Sequence, residues 1–195
     1  MADNKVKFGL ENVYVAFHTD NGFDTPIHIP GAVNLTTDPA GNQNIFYADN
    51  IPYVTFNTDS GYTGTLEMAL IPDTVKASMF GWEVDDNGAL VEVSGGTTKS
   101  FALLYEIKGD AKNRRNVFYS VTAARPSGSA ATQTDSTDPD TESLEITMIP
   151  KAMTVGGISK NVTKASMEKG ADNATAYNGF FTSVYTPVET GTTGA

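Results

Sequence analysis

The side chains that carry most enzymatic chemistry are thinly supplied in this sequence. There is no Cys, which excludes thiolate nucleophiles, disulfides and Cys-based zinc sites. No G-x-S-x-G elbow presents a serine nucleophile. His18 and His28 are the only histidines; with Asp20 and Asp24 near them they form a base or metal pair only if the fold unites them, and no third-ligand motif accompanies them. Asp85-Asp86-Asn87-Gly88 begins like a calcium loop, but it lacks the EF-hand spacing and the distal Glu, so it reads as a tight turn. Gly95-Gly96-Thr97-Thr98 lacks the Lys of a P-loop and has no strand-to-helix unit around it, and it is expected to be a hairpin turn. Lys112, Arg114 and Arg115 form the one basic cluster, available for an ion pair with Asp110 or for a contact with an adjoining subunit. No catalytic residue, cofactor site or metal site is expected, and the chain is not expected to be an enzyme.

The elements that would position these side chains are mostly strands. In Phe101 to Ile107, Phe101, Leu103, Tyr105 and Ile107 share one face and Ala102, Leu104 and Glu106 the other, the pattern of a strand covered on both sides. Val117 to Ala123 alternates likewise, and the polar GDAKNRR between the two predicts an antiparallel hairpin. Leu66, Met68 and Leu70 form a third alternating set, and Leu144, Ile146 and Met148 a fourth; Pro72 and Pro150 are natural ends for them. Trp82 to Val84 and Leu90 to Val93 flank the Asn-Gly turn as a further hairpin. The one good helix runs from Pro72 to Phe80, with Asp73 in its first turn, Gly81 to end it, and Val75, Met79 and Phe80 facing a sheet. A weaker helix or turn is expected at Thr163 to Lys169.

Residues 34–60 read as a long polar loop studded with aromatics at Phe46-Tyr47 and Tyr53 to Phe56, which gives it something to grip. Residues 127–141 are too poor in apolar groups to order themselves and read as a flexible loop, and residues 188–195 read as a flexible tail. The remainder, residues 1–187, fits one domain. The opening residues are not expected to act as a cleaved leader, and no run is apolar enough for a membrane-spanning helix. The net charge of −10 is unevenly spread: residues 1–98 hold 13 acidic and 3 basic side chains, and residues 99–195 hold 10 of each. The first half therefore cannot build a phosphate-binding groove.

Seven segments taken in order, GLENVYVAF at 9–17, IPGAVNL at 29–35, FYADN at 46–50, GYTGTLEMALIPD at 61–73, FALLYEIKGD at 101–110, RRNVFYSVTAARPS at 114–127 and TESLEITMIP at 141–150, resemble the major tail proteins of siphophages that infect Gram-positive bacteria. The resemblance implies a mainly β fold: an antiparallel β-sandwich or partly closed β-barrel flanked by one short α-helix, with a long assembly loop. It further implies a structural virion protein, made in the host bacterial cytoplasm, whose copies form rings of six that stack into a tail tube. Its implied partners are itself, the tape-measure protein, the tail terminator or tip proteins, and passing double-stranded DNA that it does not bind specifically. It implies no membrane insertion by this chain. An acidic wall suits a conduit, because a basic one would hold the phosphate backbone through counterion release.

The residues expected at inter-subunit contacts are Phe46, Tyr47, Tyr53, Phe56, Arg114 and Arg115. A carbohydrate- or receptor-binding β-sandwich on a phage tail is the alternative, with Tyr53, Tyr62 and Trp82 as sugar-stacking faces.

Overall fold

The computed structural model describes residues 8–127 and 140–188. The polar stretch expected to be a flexible loop lies outside these residues except for its ends, as do residues 1–7 and the expected tail after Val188.

The chain runs through β1 (Leu10–Thr19), β2 (Gly22–Phe23), β3 (Ile27–His28), β4 (Ala32–Ala48), β5 (Ile51–Met68), α1 (Asp73–Phe80), β6 (Glu83–Val84), β7 (Leu90–Val91), β8 (Phe101–Ile107), β9 (Arg115–Ala123), β10 (Glu142–Met148), β11 (Lys151–Val155), β12 (Ile158–Val162), β13 (Lys164–Met167) and α2 (Ala174–Asn178). One antiparallel sheet dominates, in the order β2-β1-β8-β9-β10-β5-β4, with β3 on β1 and β13 on β9. The fold is therefore mainly β, with two short helices among the described residues, and the sheet does not close into a barrel.

Both faces of the central strands are covered, as the alternation in Phe101 to Ile107 demands. On one face Phe101, Leu103 and Tyr105 join Val13, Val15, Leu66, Met68, Phe118, Leu144, Ile146 and Met148 beneath α1, which contributes Val75, Met79 and Phe80. On the other face Ala102 and Leu104 join Ala16, Val117 and Tyr119, and the cover comes from Met153, Met167, Tyr177 and Phe180. Small residues on β1 and β8 let this second cover approach closely.

Helix α1 starts after Pro72, whose carbonyl accepts from the Val75 and Lys76 amides, and it stops at Gly81, which takes a left-handed φ of 67°. Lys76 is buried and pairs with Glu142 at 2.6 Å, while the other oxygen of Glu142 accepts from the Ile71 amide at 2.8 Å. This group pins the helix to the start of β10. Leu70 departs from the expected strand: β5 ends at Met68, the Ala69 amide turns to the Gly31 carbonyl at 2.7 Å, and Leu70 is left exposed.

Three further expectations need correction. Residues 34–60 are not a loop but most of the β4–β5 hairpin. Thr163 to Lys169 contains a strand rather than a helix, because β10 leaves β9 after Val121 and the vacated edge, from Phe118 to Arg115, is taken by Lys164 to Met167. Gly95-Gly96 turns the chain between β7 and β8, which are not paired, so it is not a hairpin turn; a Cβ on Gly96 would lie 2.6 Å from the carbonyl oxygens of Phe80 and Gly81, so close helix packing requires glycine there.

Candidate assembly surface

The outer half of the β4–β5 hairpin stands apart from the rest of the molecule. Pairing of β5 with β10 ends at Tyr62 opposite Met148, whereas β5 and β4 continue together to the turn after Ala48. From Gly41 to Ser60 no residue is buried. The turn is Asp49-Asn50, with φ of 51° and 60°, the two positive values a tight type I′ hairpin requires. Where the arm leaves the body the register shifts: Ala40 faces Gly61 and Gly41 faces Asp59, leaving Ser60 as the extra residue of a bulge. Gly61 has φ +99° and the Asp59 carboxylate accepts from its amide at 2.9 Å. A Cβ on Gly61 would sit 2.0 Å from the Met148 carbonyl oxygen, so this crossing of backbones also requires glycine.

The register sorts the side chains of the arm. Phe46 lies opposite Val54, Asn44 opposite Phe56 and Ala48 opposite Ile51, so Phe46, Val54, Phe56 and Ile51 share one face. Ile45 and Tyr47 lie on the other, and Tyr53 is the extra residue of a second bulge between Val54 and Pro52. Phe46, Tyr47, Ile51, Tyr53 and Phe56 are each more than half exposed. A two-stranded ribbon is at best marginally stable alone in water, and an apolar patch this dense on a soluble surface marks an interaction site.

Of the expected contact residues, the arm brings together Phe46, Tyr47, Tyr53 and Phe56. Arg114 and Arg115 lie elsewhere, and their guanidinium groups are engaged within the chain. Arg114 Nε donates to Asp110 at 2.9 Å. Arg115 Nε donates to Glu106 at 2.9 Å, and its guanidinium lies 4.1 Å from the Tyr177 ring centre and 4.7 Å from that of Phe181, clamping the C-terminal segment to the sheet. Ile45, Ile51 and Val54 complete the apolar surface. Their signal was the alternation in Val54-Thr55-Phe56-Asn57-Thr58, together with Asp49-Asn50 as a two-residue turn.

The side chains considered for chemistry are dispersed. His18 Nε2 bonds the Tyr119 carbonyl at 2.8 Å, and burial holds its pKa below the ordinary value. His28 packs on the Tyr14 ring, 4.7 Å between centres. Among the described residues no group of three or more His, Asp or Glu is placed to hold a metal ion. Asp85 caps its turn, accepting from the amides of Asn87 and Ala89 at 2.9 and 2.7 Å, which lowers its pKa. A concavity of about 640 Å³ lies between β13 and α2, but Glu168 on its wall is paired with Lys112 at 3.1 Å. The three proposed sugar-stacking rings are not assembled either: Trp82 is buried, Tyr62 packs edge-on against Phe118 at 5.5 Å, and Tyr53 is on the arm. No helix among the described residues is long and apolar enough to cross a membrane.

The fold and surface define a mainly β protein with one open antiparallel sheet, covered on both faces, and a projecting apolar hairpin. No family model matches the sequence, and no curated protein is detectably similar. Among solved structures, a chain from a cryo-EM structure of the anti-feeding prophage (AFP) baseplate, 6-fold symmetrised, is similar with a TM-score of 0.46 and 11% identity, over 86% of this chain and 98% of that one. So distant a likeness does not carry function.

Proposed function

We propose that this chain is a structural protein of a long-tailed phage, whose copies form rings, six to a ring, that stack into the tail tube through which the genome passes; it carries out no catalysis. The observation that carries the reading is the arm from Gly41 to Ser60, ordered as a hairpin yet covered on neither face. The seven ordered segments that resemble siphophage major tail proteins support it. Burying Phe46, Val54 and Phe56 on another subunit is worth about 25 cal/mol per Å² of apolar area, and part of that is offset by fixing the arm and the partner. Each contact is then weak alone and strong when repeated around a ring and along a tube.

The acidic first half is assigned to the conduit wall. From Gly9 to Val75 there are eight acidic and no basic side chains, so a wall built from this part of the chain repels duplex DNA.

Replacing Phe46, Tyr47 and Tyr53 together by Ser tests the reading. Negative-stain micrographs of the wild-type protein should show tubes with a central channel that do not retain duplex DNA in a gel. The triple variant should keep the wild-type melting temperature and form no tubes. A variant that polymerises normally, or a wild-type protein that forms no rings or tubes at any concentration, overturns the reading.

A further inference from the structure

A hairpin that lays one face on a partner and leaves the other in water alternates apolar and polar residues along each strand. The tip of the β4–β5 arm does not. Ile45, Phe46 and Tyr47 follow one another, so apolar side chains stand on both sides of the ribbon. Phe46, Ile51, Val54 and Phe56 occupy one face; Ile45, Tyr47 and Pro52, which lies opposite Tyr47, occupy the other. The two faces are similarly uncovered: Phe46 and Phe56 are exposed by 57% and 59%, Ile45 and Tyr47 by 44% and 60%. Nearer the body both faces turn polar, with Asn42, Asn44 and Thr58 on the first and Gln43, Thr55 and Asn57 on the second. The apolar part is thus the outer end of the arm, from the Asn44–Phe56 pair to the turn.

Five residues of strand span about 16 Å, and two strands with their side chains are about 10 Å wide and about 10 Å thick, so this tip fills roughly 1,600 Å³ and each face offers roughly 160 Å². A specific pairwise interface takes about 800 Å² from each partner. One face of one arm is therefore too small to hold two copies together. The concavity between β13 and α2 measures about 640 Å³, and that between the starts of β1 and β4 about 460 Å³. Neither is large enough to enclose the tip, so a copy that covers one face through either of them leaves the other face in water.

We infer that the arm is a two-sided wedge: its Phe46-Ile51-Val54-Phe56 face packs on one further copy of this chain and its Ile45-Tyr47-Pro52 face on a different one, so that each arm joins three copies. The inference rests on the tube reading and adds to it the second face and the second partner. A tube needs contacts around a ring and contacts from ring to ring, and an arm of this kind takes part in more than one of them. Each contact is heterologous, with different patches on the two copies, and so propagates instead of closing as a dimer. Because neither face holds a pair by itself, small oligomers are scarce and assembly begins at a sharp threshold concentration.

The absence of Cys from the natural chain makes a direct test available. Asn44→Cys and Thr55→Cys place a thiol on opposite faces of the arm, both at exposed polar positions, and each thiol is joined to a benzophenone maleimide. A trace of full-length labelled chain is assembled with a large excess of unlabelled wild type, illuminated and run on a denaturing gel. Label that does not pellet with the tubes is moved to Asn42→Cys and Asn57→Cys, on the same two faces. Each single label should give a two-chain product, with different peptides of the partner attached in the two cases. The chain labelled on both faces should also give a three-chain product, at about the product of the two single-label yields. In parallel, Phe46→Ser with Phe56→Ser and Ile45→Ser with Tyr47→Ser should each raise the threshold concentration about tenfold or more. If the wild type forms tubes but the doubly labelled chain gives two-chain products alone, or if either face gives none, the arm does not join three copies. That outcome leaves the tube reading intact, whereas a wild type that never polymerises removes both.

Discussion

Two antiparallel hairpins of this molecule have similar local patterns and opposite surroundings. In β8–β9 every residue from Phe101 to Tyr105 is buried, and so is every residue from Asn116 to Val121, because α1 covers one face of the sheet and the C-terminal segment covers the other. In the outer β4–β5 arm the strands pair to the turn and carry seven Phe, Tyr, Val and Ile side chains, as many as β8 and β9 do, yet nothing between Gly41 and Ser60 is buried. Alternation thus fixes the strand but not its covering. In the proposed tube, another copy supplies the cover that the arm lacks within its own chain.

Truncating side chains in the two regions should give the largest contrast. Leu144→Ala, in the core, should cost about 3 to 5 kcal/mol of unfolding free energy by denaturant titration, whereas Phe56→Ala on the arm should change it by less than about 0.5 kcal/mol in the dilute subunit. In the assembled state the order should reverse for polymerisation, which Phe56→Ala impairs. Comparable losses of monomer stability would mean that the arm packs on its own body in solution.

A smaller effect is expected in amide hydrogen exchange. Backbone amides from Asn42 to Thr58 should exchange much faster than those of β8 and β9 in dilute protein and become protected on assembly. Asn50→Gly, which relieves the positive φ of 60° at the turn, should slow the arm's exchange by a few tenths of a kcal/mol while leaving global melting unchanged. Equal protection in the arm and the body of the free subunit would break the comparison.

The smallest effect belongs to His18, at the edge of the body. Burial holds its folded pKa below the ordinary imidazole value of 6.5, with the Tyr119 carbonyl bond opposing that shift and Lys151 adding to it. The unfolded chain therefore takes up the proton first. The residue does not affect pH dependence well above pH 6.5, and it favours unfolding increasingly as pH falls below that value. Melting of wild type should drop more between about pH 7 and about pH 5.5 than that of His18→Gln, which retains a donor for the carbonyl. Parallel curves would show that His18 does not titrate differently on folding.

Much of the body was legible in the sequence because its determinants are local. Phe101 to Ile107 alternates with both phases apolar and became β8 with both faces buried; Pro72, Asp73 and Gly81 bounded α1; Asn87-Gly88 turned β6 into β7. Two hairpins were missed although their turns are local as well. Asp49-Asn50 and Gly156-Gly157 are both two-residue turns with positive φ, and the first lies in a stretch whose Asn, Asp, Thr, Gly and Pro content reads as loop. Strand β13 had no local signal of its own, since it exists because β10 leaves the edge of β9 vacant.

For the surface, the sequence by itself determined which residues are too apolar for water, Phe46, Tyr47, Tyr53 and Phe56, and that the excess of acidic side chains falls in the first half of the chain. Only the tertiary structure decided that those aromatics sit on a paired, uncovered hairpin, that Arg114 and Arg115 are engaged by Asp110 and Glu106, and that Lys151 lies over the Phe23 ring. The reason is physical. Turn chemistry and period-two alternation act between near neighbours in sequence, whereas burial and ion pairing depend on which distant strand arrives, and no local pattern records that arrival.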